Sequence, residues 1–459
     1  MKIITFLLVF FGLAGSGFAN DTLKVFKYDS FIQQVMVNHP YAQNASIVQE
    51  LGKSNLTKAR GGFDPKVIGD LTQKYYDDKQ YYSRLNGVLK IPSWFGLTAE
   101  TGYVMNEGFY LNPEMKVPSN GLWYAGLKLE VGKGLLIDKR RATLKKAHLF
   151  KSSTELQRVI MLNDLKRNAS IAYWKWQQAY QELSVYELAY ENASQRLFAV
   201  KDAVVFGEKP SVDTVEASIV VQKWKLSLLK VENYYKNAEL NLENYLWSGG
   251  FVPLEISNAI PENIISNIVT FQDVQLDSLI TNHPTLKIND LKIKEKRVDL
   301  RMKREQLKPQ LTLKYNALSQ PVNDNPFPNY SIENYNWGID FSYPIFTRKE
   351  RGGVQLAKLK LQDQERKNDL KLAQVKYKVK SSVNNYYRVL KQLAIIEKLA
   401  LNTEALYSAE KSLFKMGESS VFLMNYRENT WLKSRIELIK FQNESNTLKS
   451  NLLFDLMIN

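Results

Sequence analysis

Two long segments of the chain carry apolar residues at alternating spacings of three and four, the period of a helical seam. The first segment, 144–206, contains neither proline nor glycine. Extended back to Arg140, it predicts a single helix about 100 Å long, at about 1.5 Å per residue. The seam consists of Leu162, Leu165, Ala169, Ala172, Trp176, Ala179, Leu183, Tyr186, Tyr190, Ala193, Leu197, Val200 and Val204. Such a seam is typical of a coiled coil.

The second segment, 354–416, is also free of proline and glycine, although polar residues interrupt its seam. Gly207 and Gly417 follow the two segments and are expected to end the helices. Ser211 and Ser420 can then start the returning helices. The pattern therefore predicts two long helical hairpins.

The regions 65–134 and 309–346 alternate apolar and polar residues with period two, which predicts strands. In the stretch "WYAGLKLEV", Trp123, Leu127 and Val131 share one face of the strand. The pattern fits a half-buried soluble sheet as well as a transmembrane β-barrel, apolar toward lipid and polar toward the lumen. Strands of about ten residues and a density of tyrosine and tryptophan favour the barrel.

These elements occur twice in the same order. The tripeptide Asn-His-Pro begins at Asn38 and again at Asn282. In both copies a second proline, Pro65 or Pro309, follows 25 residues after the proline of the tripeptide. The histidines could be metal ligands or could mark one structural corner in two copies, and the second interpretation is favoured because no third ligand keeps a suitable spacing. The first copy carries 32 additional residues around "LKIPSWFGLTAETGYVMNEG". This insertion predicts another hairpin, either extra barrel wall or an extracellular excursion.

The predicted organisation begins with a secretory signal peptide over 1–19, with a charged start, an apolar run and a small-residue cleavage site. Each repeat contains a helix, strands and a long helical hairpin. The first repeat spans 20–249, with strands over 65–134 and a hairpin over 140–249 whose tip lies near 207–212. A linker follows over 250–272. The second repeat spans 273–459, with strands over 309–346 and a hairpin over 348–459 whose tip lies near 417–421.

Composition excludes several function classes. The chain has no cysteine and three histidines, so we expect no metal, no cofactor and no enzyme activity, because nucleophilic and metal chemistry need such residues at reactive spacing. There is no glycine-rich phosphate loop. The formal net charge of +15 could suit nucleic acid, but the basic residues are dispersed and the chain is expected to be exported. We therefore expect no nucleic-acid partner.

The arrangement resembles the TolC-type outer-membrane efflux proteins over nearly the whole chain after the signal. The matching pieces are the Asn-His-Pro corners, the prolines before the strands, the joints "LLIDKRRATLKKA" and "IFTRKERGGVQLAKL", and the hairpin tips. The resemblance implies an α+β membrane protein, a homotrimer whose outer-membrane β-barrel of 12 strands, four per protomer, continues into a periplasmic α-helical barrel. The linker would lie at the equator of that helical barrel.

The resemblance implies a passive channel of an efflux or type I secretion system. Its partners would be a periplasmic adaptor (membrane fusion) protein, an inner-membrane pump and outer-membrane lipid. The alternative is a periplasmic coiled-coil adaptor or scaffold, but such a protein would have one hairpin between two halves of a β domain, whereas this sequence predicts two hairpins.

Two groups of site residues follow from this interpretation. Adaptor docking is predicted at the tips, where small residues permit close approach by another hairpin: Gly207, Glu208, Ser211, Val212, Gly417, Ser419, Ser420 and Val421. A periplasmic gate is predicted from acids that three protomers would bring into rings: Glu397, Glu404, Glu410, Glu187, Glu191 and Asp202. Solvated outer-face charges remain the alternative for each acid.

Overall fold

The computed structural model describes residues 24–256, 258–263, 269, 273–321, 331 and 333–458. The predicted signal peptide and part of the predicted linker lie outside these residues. The helices are α1 (Tyr28–Asn38), α2 (Pro40–Arg60), α3 (Lys139–Val205), α4 (Ser211–Glu243), α5 (Asp273–Thr281), α6 (Pro284–Glu305), α7 (Arg348–Lys415) and α8 (Val421–Leu456). The strands are β1 (Lys24–Phe26), β2 (Lys66–Tyr76), β3 (Lys79–Pro92), β4 (Leu97–Glu107), β5 (Leu122–Gly132), β6 (Trp247–Ser248), β7 (Val252–Pro253), β8 (Ala259–Pro261), β9 (Gln310–Ser319) and β10 (Tyr335–Ser342).

The long helices follow from the three-four spacing of apolar residues and from the lack of proline and glycine over 144–206 and 354–416. Helix α3 has 67 residues and α7 has 68, and both end within a few residues of a glycine with positive φ, which only glycine adopts without strain. Helix α4 returns from Pro210, and α8 returns from Ser420.

The chain divides into two compact units, one of 1–39, 168–267 and 388–447, the other of 40–167, 268–387 and 448–459.

The first unit is mainly helical and packs around a seam between α3, α7 and α8. Its main apolar cluster consists of Val185, Ala189, Tyr407, Met424, Trp431, Leu432, Ile436 and Ile439. A second, aromatic cluster attaches β1 and the first residue of α1 to α3: the Tyr28 ring stacks on Trp174 with centroids 4.5 Å apart, and the Tyr173 hydroxyl donates to the Phe26 carbonyl at 2.6 Å. Strand β1 pairs in parallel with β8 in this unit.

The second unit contains a six-stranded antiparallel sheet in the order β10-β9-β5-β4-β3-β2. The sheet therefore has six strands where the resemblance implies four per protomer, because residues 79–107 add β3 and β4 to the same sheet.

The sheet passes into α3 through a capped joint: the Asp138 carboxylate accepts from the Arg141 amide at 2.8 Å, and Glu305 accepts from the Leu136 amide at 3.1 Å. Gly52 lets α2 approach α3, because a Cβ there would lie 2.1 Å from Thr154 Oγ1.

Candidate functional site

The six-stranded sheet has two chemically different faces. Residues paired across antiparallel strands share a face, so the register aligns side chains from all six strands. Val67 in β2 pairs with Leu89, Leu89 pairs with Thr101, and successive pairs continue across the sheet to Tyr335 in β10. The apolar face includes Val67, Leu71, Leu85, Leu89, Ile91, Tyr103, Leu127, Tyr315, Tyr335, Trp337, Ile339 and Phe341. Val67 is 83% exposed, Trp337 61% and Phe341 68%, so large apolar side chains face outward from this chain.

The opposite face carries the charges of the sheet. Its members include Lys66, Asp70, Arg84, Asn86, Lys90, Glu100, Lys128, Glu130, Lys314 and Asp340. Lys90 pairs with Glu100 at 3.6 Å across β3 and β4, and Lys314 pairs with Asp340 at 3.1 Å across β9 and β10. Val88, buried among these residues, shows that the face is mixed in places. Charges on one side and exposed aliphatic and aromatic groups on the other suit a wall between water and hydrocarbon.

The hairpin tips are built on two glycines in the left-handed region. Gly207 has φ of 75° and Gly417 has φ of 79°, and a Cβ at either would meet no atom within 4 Å. Glu208, Ser211 and Val212 are exposed, and Val212 is 64% exposed. In the first tip, the predicted docking residues therefore lie on an open surface of this chain.

The second tip differs from the expectation that all its docking residues are open. Val421 is only 4% exposed, because it packs with Val200 and Ala217 between helices. The Ser420 hydroxyl accepts from the Leu423 amide at 3.1 Å and caps α8, and the Ser419 hydroxyl donates to the Glu410 carboxylate. These three residues hold the turn together; Gly417 and Ser420 are exposed in this tip, Ser419 is half-buried and Val421 is buried.

The predicted gate acids fall into two groups. Glu187, Glu191, Asp202, Glu397 and Glu404 are exposed on α3 and α7. Glu410 is 6% exposed and accepts a hydrogen bond from Ser419, with Arg427 at 3.9 Å. Glu410 therefore supports the second tip rather than facing water in this chain.

Sequence reasoning missed a buried polar cluster between α3, α7 and α8. Arg196 Nη2 lies 2.6 Å from Glu428 Oε2, with side chains 8% and 2% exposed. The Tyr407 hydroxyl donates to Glu428 Oε1 at 3.2 Å, and Arg196 also donates to Asn425 Oδ1. Burial, together with the negative charge of Glu428, raises the pKa of Tyr407 to about 12, so the phenol stays protonated as a donor. The available signal was a charged residue, Arg196, between seam positions of α3.

The two histidine corners differ in detail. His283 is the N-cap of α6, and its Nδ1 accepts from the Thr285 amide at 3.2 Å. His39 is the C-cap of α1, and its ring stacks against Tyr245. Burial lowers the pKa of both imidazoles. Within the described ranges, no group of three or more potential ligands is close enough together to hold a metal ion.

No helix in the described part of the chain has the length and hydrophobicity needed to cross a membrane.

The chain has the fold of outer-membrane channels of known structure. The outer-membrane channel OprN superposes with a TM-score of 0.69 at 11% identity, covering 94% of this chain and 90% of that chain. The CmeC outer membrane channel of Campylobacter jejuni gives 0.65 at 13% identity, covering 93% and 85%. The open state of the MtrE outer membrane channel of Neisseria gonorrhoeae gives 0.67 at 12% identity, covering 94% and 88%.

No model of a known protein family matches the sequence, and neither does any curated protein. At 11–13% identity the likeness concerns the fold alone, and this fold is the one that the resemblance implied.

Proposed function

We propose that the chain is the protomer of a homotrimeric outer-membrane channel, which passively conducts solutes delivered by an inner-membrane pump and a periplasmic adaptor. The observation that carries this proposal is the sheet in which every strand contributes apolar side chains to one face and the charges lie on the opposite face. The likeness of the fold to solved outer-membrane channels supports it.

The apolar face is the lipid contact in this proposal. Exposed Trp337 and Phe341 would cost free energy in water, whereas in a bilayer they are solvated by hydrocarbon, with tyrosine and tryptophan favoured at the interfaces. A β-wall inside a membrane must close, because unpaired backbone groups have no water to bind there. The charged face, with its Lys90–Glu100 and Lys314–Asp340 pairs, then lines the aqueous lumen.

The hairpins form the periplasmic part, in two structural copies, and the protein acts in an efflux or type I secretion system. The sequence contains no glycine-rich phosphate loop, and in this proposal the free energy for transport comes from the pump. A periplasmic adaptor or scaffold is the alternative, and the fold comparisons favour the channel.

The adaptor meets the first tip in this proposal, at Gly207, Glu208, Ser211 and Val212. Val212→Asp places a charge on an exposed apolar contact, and we expect export to fall while the trimer remains assembled. Val212→Thr keeps the shape and serves as the control. Normal export by Val212→Asp would contradict docking at this tip.

The gate is proposed at the exposed acids of α7. Glu397 and Glu404 are seven residues apart and lie on one stripe of the helix, so three protomers would form two acidic rings. We expect Glu397→Gln with Glu404→Gln to reduce cation selectivity in reconstituted channels. Lys398→Gln, one residue away on the same helix, is the matched control. Unchanged selectivity would place the gate elsewhere.

The proposed function is tested first by extraction and reconstitution. We expect the protein in the outer-membrane fraction, extracted by detergent as a trimer and forming ion-conducting channels in planar bilayers. A protein that stays monomeric and dissolves without detergent would refute the channel.

A further inference from the structure

The 32-residue insertion predicted from the sequence corresponds to two strands that continue the wall of the sheet. Strands β3 and β4 pair over Ser83–Pro92 and Thr98–Glu107, and β3 also pairs with β2. Leu85, Leu89 and Ile91 continue the apolar face, whereas Lys90 and Glu100 continue the charged face. A hairpin outside the membrane needs no apolar side chains on the lipid side, because both of its faces meet water.

The sheet has two free edges within the described part of the chain, at β2 and β10. Every neighbouring pair of the six strands is antiparallel, so β2 and β10 run in opposite directions. An edge of one copy can therefore pair antiparallel with the other edge of the next copy, which is the head-to-tail contact that closes a ring.

One sheet cannot close on itself. A barrel of about eight strands is already filled by its own side chains, and six strands leave even less interior space. Left open in lipid, the backbone groups of β2 and β10 would be unsatisfied, which costs several kcal/mol for each group. In a membrane, both free edges therefore need partner strands.

We propose that β2 of each protomer pairs with β10 of the next and that three protomers close a barrel of eighteen strands, six from each chain. This inference rests on the proposed trimeric channel and adds the composition of its wall. With strands about 4.8 Å apart and tilted by about 40°, eighteen strands give a barrel diameter of about 36 Å, against about 24 Å for twelve. A wall of this size encloses a wide aqueous mouth, as in barrels of about 16–18 strands.

The edge contact can be tested by disulfide formation, because the chain has no cysteine of its own. Leu71→Cys in β2 is combined in turn with Trp337→Cys, Ile339→Cys and Phe341→Cys in β10, all exposed on the apolar face. The two edges of one chain are five strand spacings apart, about 24 Å, so only neighbouring copies can be bridged.

We expect oxidation to convert at least one of these pairs into a covalent trimer on denaturing gels. The control combines Leu71→Cys with Leu127→Cys in the interior strand β5, and it should remain monomeric. Covalent dimers without trimers would overturn the eighteen-strand count, as would a trimer that forms no edge bridge in any of the three pairs.

The position of β3 and β4 is tested by lipid accessibility. A fluorophore on Leu85→Cys or Ile91→Cys should be quenched by brominated lipid as strongly as one on Leu127→Cys, and one on Thr98→Cys on the charged face should not. If the trimer conducts ions but the β3 labels escape quenching while the β5 label is quenched, β3 and β4 lie outside the wall and this inference fails alone. If no label is quenched and no trimer forms, the proposed function fails with it.

Discussion

The buried pair of Arg196 and Glu428 should respond strongly to loss of one partner. Arg196→Met removes the charge but keeps most of the apolar stem, and it leaves the Glu428 carboxylate 2% exposed with the Tyr407 hydroxyl still donating to it. Removing one partner of a buried ion pair costs about 3–5 kcal/mol, because the remaining charge has lost its water and its counterion. We expect the local opening free energy of the hairpin to fall by that amount.

Native-state hydrogen exchange measures this opening. At about 1.4 kcal/mol per tenfold, amides of α3 and α8 around the pair should exchange about 100- to 4,000-fold faster in Arg196→Met. The double variant Arg196→Met with Glu428→Met replaces the pair by apolar side chains of similar volume and should recover most of the protection.

The matched control is Arg388→Met, which removes an ion pair of similar length in the same unit. Arg388 lies 2.7 Å from Glu444, but the two side chains are 48% and 41% exposed, so we expect less than about tenfold faster exchange. If Arg196→Met also changes exchange by less than about tenfold, burial of the Arg196 pair does not govern its energetics.

Three further predictions concern packing, the turn and pH. Leu432→Ala empties a fully buried site in the apolar cluster and should lower the opening free energy by about 2–5 kcal/mol. Leu401→Ala, at a residue that is 66% exposed, should change it by less than about 0.5 kcal/mol, and equal exchange rates in the two variants would refute this prediction. Gly207→Ala should destabilise the first tip by about 1–2 kcal/mol, because alanine is strained at φ of 75° although space is available, and Gly249→Ala, also unobstructed but without positive φ, should not. Burial holds the pKa of His283 below its ordinary value. The contribution of His283 to stability is therefore present above about pH 6.5 and is lost as the pH falls through that value toward the folded pKa. Hydrogen exchange at the start of α6, corrected for intrinsic rates, should accelerate as the pH is lowered from about 7.5 to 5.5, and His283→Gln should abolish this change.

The long helices were readable from local pattern. The predicted helix from Arg140 to Phe206 is observed as Lys139–Val205, because an unbroken three-four spacing without proline or glycine permits one regular conformation. The glycines that follow the helices were also predictable, since positive φ at Gly207 and Gly417 is a backbone requirement and depends little on distant residues.

The number of strands in one continuous sheet could not be predicted from the same kind of local pattern. Period-two alternation identifies a strand with two different faces, but it is equally consistent with a hairpin inside the wall or above it. Only the tertiary structure shows that β3 pairs with both β2 and β4 in a register that continues the apolar face, and this pairing is the basis for proposing that the hairpin lies in the wall.

Burial at the tips and in the helical cluster was decided by tertiary structure. Val212 and Val421 occupy corresponding places in the sequence, yet the first is 64% exposed and the second 4%, because Val200 and Ala217 cover only the second. Arg196 and Glu428 are 232 residues apart, and their spacing along the chain predicts no contact. The sequence by itself determined which segments are helices and strands, since those depend on neighbours a few residues away. Which side chains lose water depends on which segments pack together in space, and that information lies in the sum of many long-range contacts rather than in any local motif.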